Sequence, residues 1–509
     1  MNQLHLARCL GTVSTPSFRR HHNESLIDSL AHDQNITFTY IRSEPDSSDD
    51  GTSQVPAIAH PAGVNCLAID HTEGRYLLSG GADSTVRLWD LEERETQSHS
   101  SDSSIPKIHS PKASLTRGTP SSHTHALTSI SIYPFDPTPS TLLTTSYDKT
   151  LKVTAITPTS LTPIHSFDLD FIPWTHALSP SPDSSPLIAV GTAHPAIRLL
   201  DLRSGLSTHS LSGPNGAINT LAWSPRQSHI LASGSADGKV LFFDIRRANA
   251  AFASLDQDDA IGVIGEFPST GLGARSLHLD FSTLAHSGPV TSIQWTPAGD
   301  KLVTAGHDQR IRVWDAATGR NDLVHFGPRI RNERQGEIGP LISPAGTHAP
   351  GRESLFWPND DGRGTIFQHH LREGHLLRIL RTEGVKLAEV QAAKRNRGGG
   401  RAGTSNVARL TSGGRINTML WRVNALAGNA IEMYTAHGDG RICAWVPTSK
   451  GSEDEKDDGA GAETSEPTPQ VATTATDAPL DDSEIRRKRK RELIGNLVEG
   501  LTRRPMPFS

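Results

Sequence analysis

The sequence predicts an all-β protein built from one repeated antiparallel sheet. The first observation is a stretch that recurs. "ILASGSADGKVLFFDIRR", from Ile230 to Arg247, has relatives in "YLLSGGADSTVRLWDLE" (ending at Glu92), "TLLTTSYDKTLKVTAI" (ending at Ile156), "LIAVGTAHPAIRLLDLRSG" (ending at Gly205), "KLVTAGHDQRIRVWDAATG" (ending at Gly319) and "EMYTAHGDGRICAWVP" (ending at Pro447). The second observation is fixed spacing. Asp83, Asp148, Asp237, Asp308 and Asp439 each follow a hydroxyl by four positions (Ser79, Thr144, Ser233, Thr304, Thr435) and precede by six Trp89, Thr154, Phe243, Trp314 and Trp445. The third is a further apolar-alternating segment ahead of each pair, such as "GVNCLAID", "AINTLAWSP", "PVTSIQWTP" and "RINTMLW".

Each element follows from local chemistry. Apolar residues alternating around a short small-residue run mark two strands of a hairpin. Asp at the turn bonds nearby backbone, and Gly accepts positive φ. The preceding alternating segment supplies a third strand, and the linkers leave room for a fourth. The third repeat departs from the pattern, because His194 stands where the others carry Asp.

Composition limits the alternatives. At 509 residues with 35% hydrophobic content, long polar segments must dilute a folded portion. A net charge of −5 lacks the basic excess of a general nucleic-acid binder, so no direct sequence-specific nucleic-acid contact is expected. Cys9, Cys66 and Cys443 stand far apart, without a disulfide or zinc framework. No stretch reaches the run of about 18 apolar residues that spans a bilayer, so no membrane association is expected. The chain reads as soluble and intracellular.

The repeat resembles the WD repeat and implies a seven-bladed WD40 β-propeller. Blades are expected near 60–92, 123–158, 175–205, 213–247, 286–319, 322–383 and 410–447. The sixth rests on "ESLFWPNDDGRGTIFQHHLREGHLLRIL", two apolar runs around a turn. "NITFTYIRS" alternates Ile36, Phe38 and Tyr40, and is the candidate closing strand over 36–43 of a propeller spanning 36–447. In WD repeats, a His ahead of the first strand, the hydroxyl, the Asp and the Trp form a buried hydrogen-bonded tetrad. His286, Thr304, Asp308 and Trp314 fit it fully, and His60, Ser79, Asp83 and Trp89 nearly so. His123 holds the same place in the second repeat. Ser233, Asp237, Asp439 and Trp445 are the corresponding residues of two others, where Gly213-Pro214 replaces the His of the fourth. Such sets mimic catalytic triads, but catalysis needs one exposed nucleophile in a cleft, and recurrence marks a structural device. No phosphate-cradling loop, nucleophile elbow or metal-ligand cluster is visible, so no enzyme activity, cofactor or metal is expected. His21-His22 and His369-His370 read as solvated loop residues.

The order of these motifs from Pro61 to Pro447 resembles the Cockayne syndrome group A family. That resemblance implies a substrate receptor of a cullin-RING ubiquitin ligase in transcription-coupled nucleotide-excision repair. It would dock on the large damaged-DNA-binding adaptor subunit and act with RNA polymerase II and the Cockayne syndrome group B ATPase. Receptors for this adaptor carry a WDxR box. "ILASGSADGKVLFFDIR" matches it at Ile230, Leu231, Asp237, Asp244 and Arg246, with Phe243 for Trp. "LIAVGTAHPAIRLLDLR" is a poorer match ending in Asp201 and Arg203. An Arg at a strand end offers a planar fork of donors to a partner, or else pairs with its own Asp. The N-terminal segment 1–35 contains a helix over Ser17–Asp33, capped by Asn23, with Leu26, Ile27 and Leu30 on one face. The resemblance implies that this helix enters a groove of the adaptor; packing on its own propeller is the alternative.

The insertions Glu93–Ser122, Ala248–Thr283 and Val385–Ala408, and the tail 448–509, read as disordered. Near the end of that tail, Arg486, Arg487, Lys488, Arg489, Lys490 and Arg491 open a basic helix over 485–504 and read as a nuclear localisation signal, placing the protein in the nucleus. The competing reading is a non-enzymatic nuclear WD-repeat scaffold of another chromatin or RNA-processing complex.

Overall fold

The computed structural model describes residues 2–40, 58–92, 107–136, 138, 140–180, 187–247, 251–258, 283–333, 338–382, 414–423 and 431–448. Seven sheets succeed one another along the chain, giving a seven-bladed β-propeller. Blade 1 opens with Val64–Ile69, blade 2 with Leu127–Ile132, blade 3 with Pro173–Leu178 and blade 4 with Ile218–Trp223. Blades 5, 6 and 7 open with Val290–Trp295, Leu341–Ile342 and Ile416–Val423. Among the described residues six blades have four strands, and blade 5 has three. The sixth is complete, its two-residue inner strand followed by Ser354–Pro358, Thr365–His370 and Leu376–Arg381.

The apolar alternation seen in sequence becomes packing between blades. The described residues form seven apolar clusters, one in each gap between consecutive blades. Inner strands are also tied by side chains that reach across a gap. Asn65, Asn219 and Asn417 Nδ2 donate to Leu127 O (2.8 Å), Val290 O (2.9 Å) and Val64 O (2.7 Å) of the next blade. Trp223, Trp295 and Trp421 Nε1 donate backwards to Ala177 O (3.1 Å), Ala222 O (3.3 Å) and Ile342 O (2.8 Å).

The ring closes differently from expectation. The outer strand of blade 7 is Leu30–Asp33, antiparallel to Ile442–Pro447 with Leu30 opposite Pro447. Ile36–Phe38 instead pairs in parallel with Lys107–His109, inside a segment expected to be an unstructured insertion. That insertion also yields Pro111–Leu115, the fourth strand of blade 1. The burial pattern explains the choice. Phe38 is fully buried edge-on against Trp89 (5.4 Å), so its alternation serves the gap between blades 7 and 1.

Two helices precede the closing strand: α1, Asn2–Cys9, and α2, Thr15–Asp28. Ser14 caps α2, its Oγ accepting from Ser17 N (3.4 Å), so Asn23 lies inside the helix and not at its start. The helix ends at Asp28 because the next residues enter the sheet. Ile27 and Leu30 are 0% and 1% exposed, packed on Phe356, Ile366 and Trp445 between blades 6 and 7. Both were expected to face a partner; burial against the protein's own sheets removes them. Leu26 is half-buried. Truncation through Asp33 is therefore expected to lower the melting temperature by many degrees, because the outer strand of blade 7 goes. Truncation through Val13 should leave it near wild type, which a thermal melt of both variants would check.

The top-face turns hold neighbouring blades together. Gly238 (φ +85°) accepts at its carbonyl the amides of Ala285 and His286 (both 3.0 Å), and a Cβ there would meet His286 O at 2.3 Å. Gly440 (φ +90°) does the same for Ala59 (2.8 Å) and His60 (3.1 Å). Only glycine fits either place.

Candidate adaptor-docking face

Arg246 and Arg203 occupy equivalent places, just past the third strands of blades 4 and 3 (Val240–Asp244 and Ile197–Asp201). They therefore share one face of the disc, opposite the Asp-bearing turns. Asp244 is buried, and its carboxylate organises the turn. Oδ1 accepts the Arg246 amide (3.0 Å) and Nε (3.1 Å), and Oδ2 accepts Nη2 (3.1 Å). The Arg246 side chain is nonetheless 63% exposed. The two-point fork caps the blade and fixes a guanidinium on the rim; it uses only part of the donor set. Arg246 holds the Asp244 carboxyl below the usual carboxylate range, with burial opposing.

In blade 3, Asp201 Oδ1 accepts the Arg203 amide (2.9 Å), and the Arg203 side chain is exposed. Its charge reaches Tyr133, on the first turn of blade 2. There burial and Asp136 raise the phenol pKa while Arg203 opposes them. Tyr133, T-stacked on Phe135 (5.5 Å), extends the same face and was not singled out from sequence.

The exposed apolar groups of the N-terminal helices lie elsewhere than expected. Leu6 on α1 and Leu10 just after it are 60% and 69% exposed. In sequence, the apolar residues of "QLHLARCL" stand upstream of the Ser17–Asp33 segment that carries the longer apolar stripe. On the propeller side, Glu24 of α2 faces His348 (3.8 Å), and Arg378 donates to the Asp28 and Leu30 carbonyls.

Blades 1 and 5 carry four hydrogen-bonded residues each. His286 Nδ1 donates to Asp308 (2.9 Å), its Nε2 accepts from Thr304 (2.8 Å), and Trp314 Nε1 donates to Thr304 Oγ1 (2.9 Å). His60, Asp83, Ser79 and Trp89 repeat it at 3.1, 2.7 and 2.9 Å. Blade 2 has three members: His123, Asp148 and Thr144, at 2.8 and 2.9 Å. Burial works against an ionised Asp83, but the bond and charge of His60 with the Thr85 hydroxyl hold it at about 2. Two expected sets differ. In blade 4 Ser233 reaches only Leu241 O (3.5 Å), and Asp237 holds its own turn. In blade 7 Trp445 does bond Thr435 (3.1 Å), but the His is His437 (2.9 Å), two residues on in the same strand, and Asp439 pairs with Arg441. His437 also bonds the backbone of Gly414, just ahead of the inner strand.

Buried imidazoles make stability pH-dependent. Burial lowers His176 and His437 to about 4. Each is favoured neutral in the fold, so its full stabilisation is present above the unfolded value near 6.5 and is lost as pH falls toward 4. The loss is roughly 3 kcal/mol per residue. Melting curves between pH 7.5 and 4.5 should show a falling midpoint below pH 6.5; a flat profile would contradict these environments.

The paired histidines are not loop residues. His21 and His22 lie in α2, and His369 is buried in a strand, bonded to Gly374 O (3.0 Å). His370, Glu373 and His375 bring three potential ligand atoms within 4.8 Å at one hairpin. There Glu373 N donates to His370 Nδ1 (3.2 Å) and the two rings stack, which serves the turn. The basic run Arg486–Arg491 lies outside the described residues. Among the described residues no helix is long and apolar enough to cross a membrane.

Comparison with known proteins follows the same lines. The family "WD domain, G-beta repeat" matches residues 53–90, 115–154, 205–244 and 280–315. The WD repeat-containing protein ATCSA-1 of Arabidopsis thaliana is 30% identical over 344 residues, covering 57% of this chain and 74% of that protein. The chain belongs to the WD-repeat family. Two further matches cover less of the relative. Ribosome biogenesis protein ytm1 of Aspergillus niger is 30% identical over 297 residues, 52% of this chain and 56% of that one. Histone acetyltransferase type B subunit 2 of Debaryomyces hansenii is 29% identical over 150 residues, 28% and 32% of the two chains.

Proposed function

We propose that this WD-repeat protein is the substrate-recognition subunit of a nuclear cullin-RING ubiquitin ligase in transcription-coupled nucleotide-excision repair. It binds the large damaged-DNA-binding adaptor subunit and does no chemistry itself. The observation that carries the proposal is the pair of Asp-x-Arg ends on adjacent blades, which puts Arg203 and Arg246 on one rim. The match to ATCSA-1 over 74% of that protein supports it. Arg203, Arg246 and Tyr133 form the polar side of the docking face, and Leu6 and Leu10 of the N-terminal helices enter an apolar groove. The opposite face is left to RNA polymerase II, the Cockayne syndrome group B ATPase or another substrate. Catalysis is supplied in trans by proximity.

The test is co-purification with the adaptor. A Leu6→Asp, Leu10→Asp variant should fold normally and bind at least tenfold more weakly, since exposed leucines add little to folding but much to a groove contact. A properly folded wild-type protein that never recovers the adaptor refutes the proposal. The match to ytm1 over 52% of this chain favours a second reading, a nuclear scaffold in ribosome biogenesis or another assembly. It predicts recovery of pre-ribosomal proteins, unaffected by Arg203→Glu and Arg246→Glu.

A further inference from the structure

Among the described residues blade 5 has three strands, and the outer strand of blade 4 is two residues long, Ala253–Ser254. Between their edges, on the face that carries Arg246, lies a cavity of ≈ 380 Å³. Its walls are Ile230, Phe242, Phe252, Trp295 and Leu302. Four of the polar side chains around it, those of Trp295, Trp314, Ser254 and Asp315, are committed elsewhere. Trp295 Nε1 donates to Ala222 O (3.3 Å) and Trp314 Nε1 to Thr304 (2.9 Å). Ser254 bonds Thr283 (2.8 Å), and Asp315 accepts from Lys301 (3.2 Å) and Thr318 (2.7 Å). A polar group reaching the walls of Phe242, Phe252, Trp295 and Leu302 would lose its water without gaining a partner there, so that part of the interior favours an apolar one. A dry cavity of about 150 Å³ admits benzene. This one has room for a phenylalanine- or tryptophan-sized group.

The mouth is basic. Arg226 is exposed there, its stem held by Nε donating to Ala298 O (2.7 Å). Ile230 on the wall pairs in register with Asp244, whose carboxylate holds the fork of Arg246 beside exposed Arg247. The nearby acids Asp244 and Asp315 already face Arg246 and Lys301. Arg226 thus lines the rim of an apolar hole, and Arg246 and Arg247 follow the strand that forms one of its walls, an arrangement that suits a bulky anchor flanked by carboxylates.

We infer that this cavity is an anchor pocket for an aromatic or leucine-sized side chain carried on an acidic polypeptide segment. Only the identity of the protein supplying that segment rests on the proposed function. The probes are three blocked tripeptides, Asp-Phe-Glu, Asp-Ala-Glu and Lys-Phe-Lys, followed by saturation-transfer NMR against the full chain. The variants are Ala316→Trp, which plugs the mouth from an exposed position, and Phe252→Ala, which removes a wall. Transfer to the Phe ring of Asp-Phe-Glu is expected with wild type, at least fivefold weaker with Lys-Phe-Lys, and lost in Ala316→Trp. Equal transfer to wild type and both variants, or none to wild type, overturns the inference. In parallel, adaptor affinity should fall at least tenfold in Ala316→Trp with an unchanged melting temperature. Peptide transfer without adaptor binding sinks the ligase reading and leaves the pocket. Adaptor binding that needs Arg246 but ignores both pocket variants sinks the pocket alone.

Discussion

An Arg203→Glu, Arg246→Glu double variant is expected to lose adaptor affinity by at least about 100-fold while keeping the wild-type melting curve. Both side chains are exposed, and an exposed ion pair contributes little to folding. At an interface the balance changes. The fork on Asp244 holds the Arg246 guanidinium in place before the partner arrives, so little side-chain freedom is lost on docking. Reversal to Glu then removes the donors and sets a carboxylate against acceptors that expected a cation. Hot-spot arginines cost about 2 kcal/mol or more on removal, and two of them on one rim reach the stated factor. Surface plasmon resonance against the purified adaptor would read it, and an unchanged affinity would reduce both residues to blade caps. The single variants separate them. Arg246→Glu should cost more, because Arg246 is held by two side-chain bonds from a buried carboxylate.

Thr304→Val is expected to destabilise the protein by roughly 2–5 kcal/mol, against less than about 1 kcal/mol for Ser233→Ala. The two hydroxyls hold the same place in the repeat and differ in what depends on them. Thr304 is fully buried and satisfies both His286 Nε2 and Trp314 Nε1. Valine keeps the volume and leaves both nitrogens buried without a partner, each costing about 1–3 kcal/mol. Ser233 makes one long bond to a backbone carbonyl. Urea denaturation of both variants would measure the difference. Equal costs would mean that the tetrad residues act through packing alone.

The fold was legible because its signal repeats. One Asp with fixed partners at −4 and +6 identified the hairpins, and the tetrads of blades 1 and 5 followed directly. Blade 7 misled because its His stands at 437, in the strand itself, where the repeat places none. The closing strand misled for a different reason. Alternation in Ile36, Phe38 and Tyr40 reports a half-buried strand but not its partner, and the pairing with Lys107–His109 joins segments with no shared pattern. Asn65, Asn219 and Asn417, each second in an inner strand, were visible as a recurrence. Their meaning was not, since the bond runs to the following blade and no single repeat contains both ends. The docking residues split the same way. Arg246 was found from its box, whereas Leu26, Ile27 and Leu30 were chosen from an amphipathic stripe that cannot say which surface it covers. Their own propeller covers Ile27 and Leu30.

The outer strand of blade 7 has a consequence for how the molecule is made. Thr448 Oγ1 donates to Ser29 O (2.9 Å) across 419 positions, and Leu30–Asp33 finds its partner only in Ile442–Pro447. A strand made early is therefore placed only after its partner, made some 419 positions later, has emerged. At about 5–20 residues per second, all the residues between these two strands must be synthesised while the apolar faces of Ile27 and Leu30 wait unpaired. Earlier blades can stack as they emerge, but the unit stays an open stack until Ile442–Pro447 has emerged. A nascent chain truncated before Ile442 should stay bound to chaperones, and the full-length chain should leave them within one event.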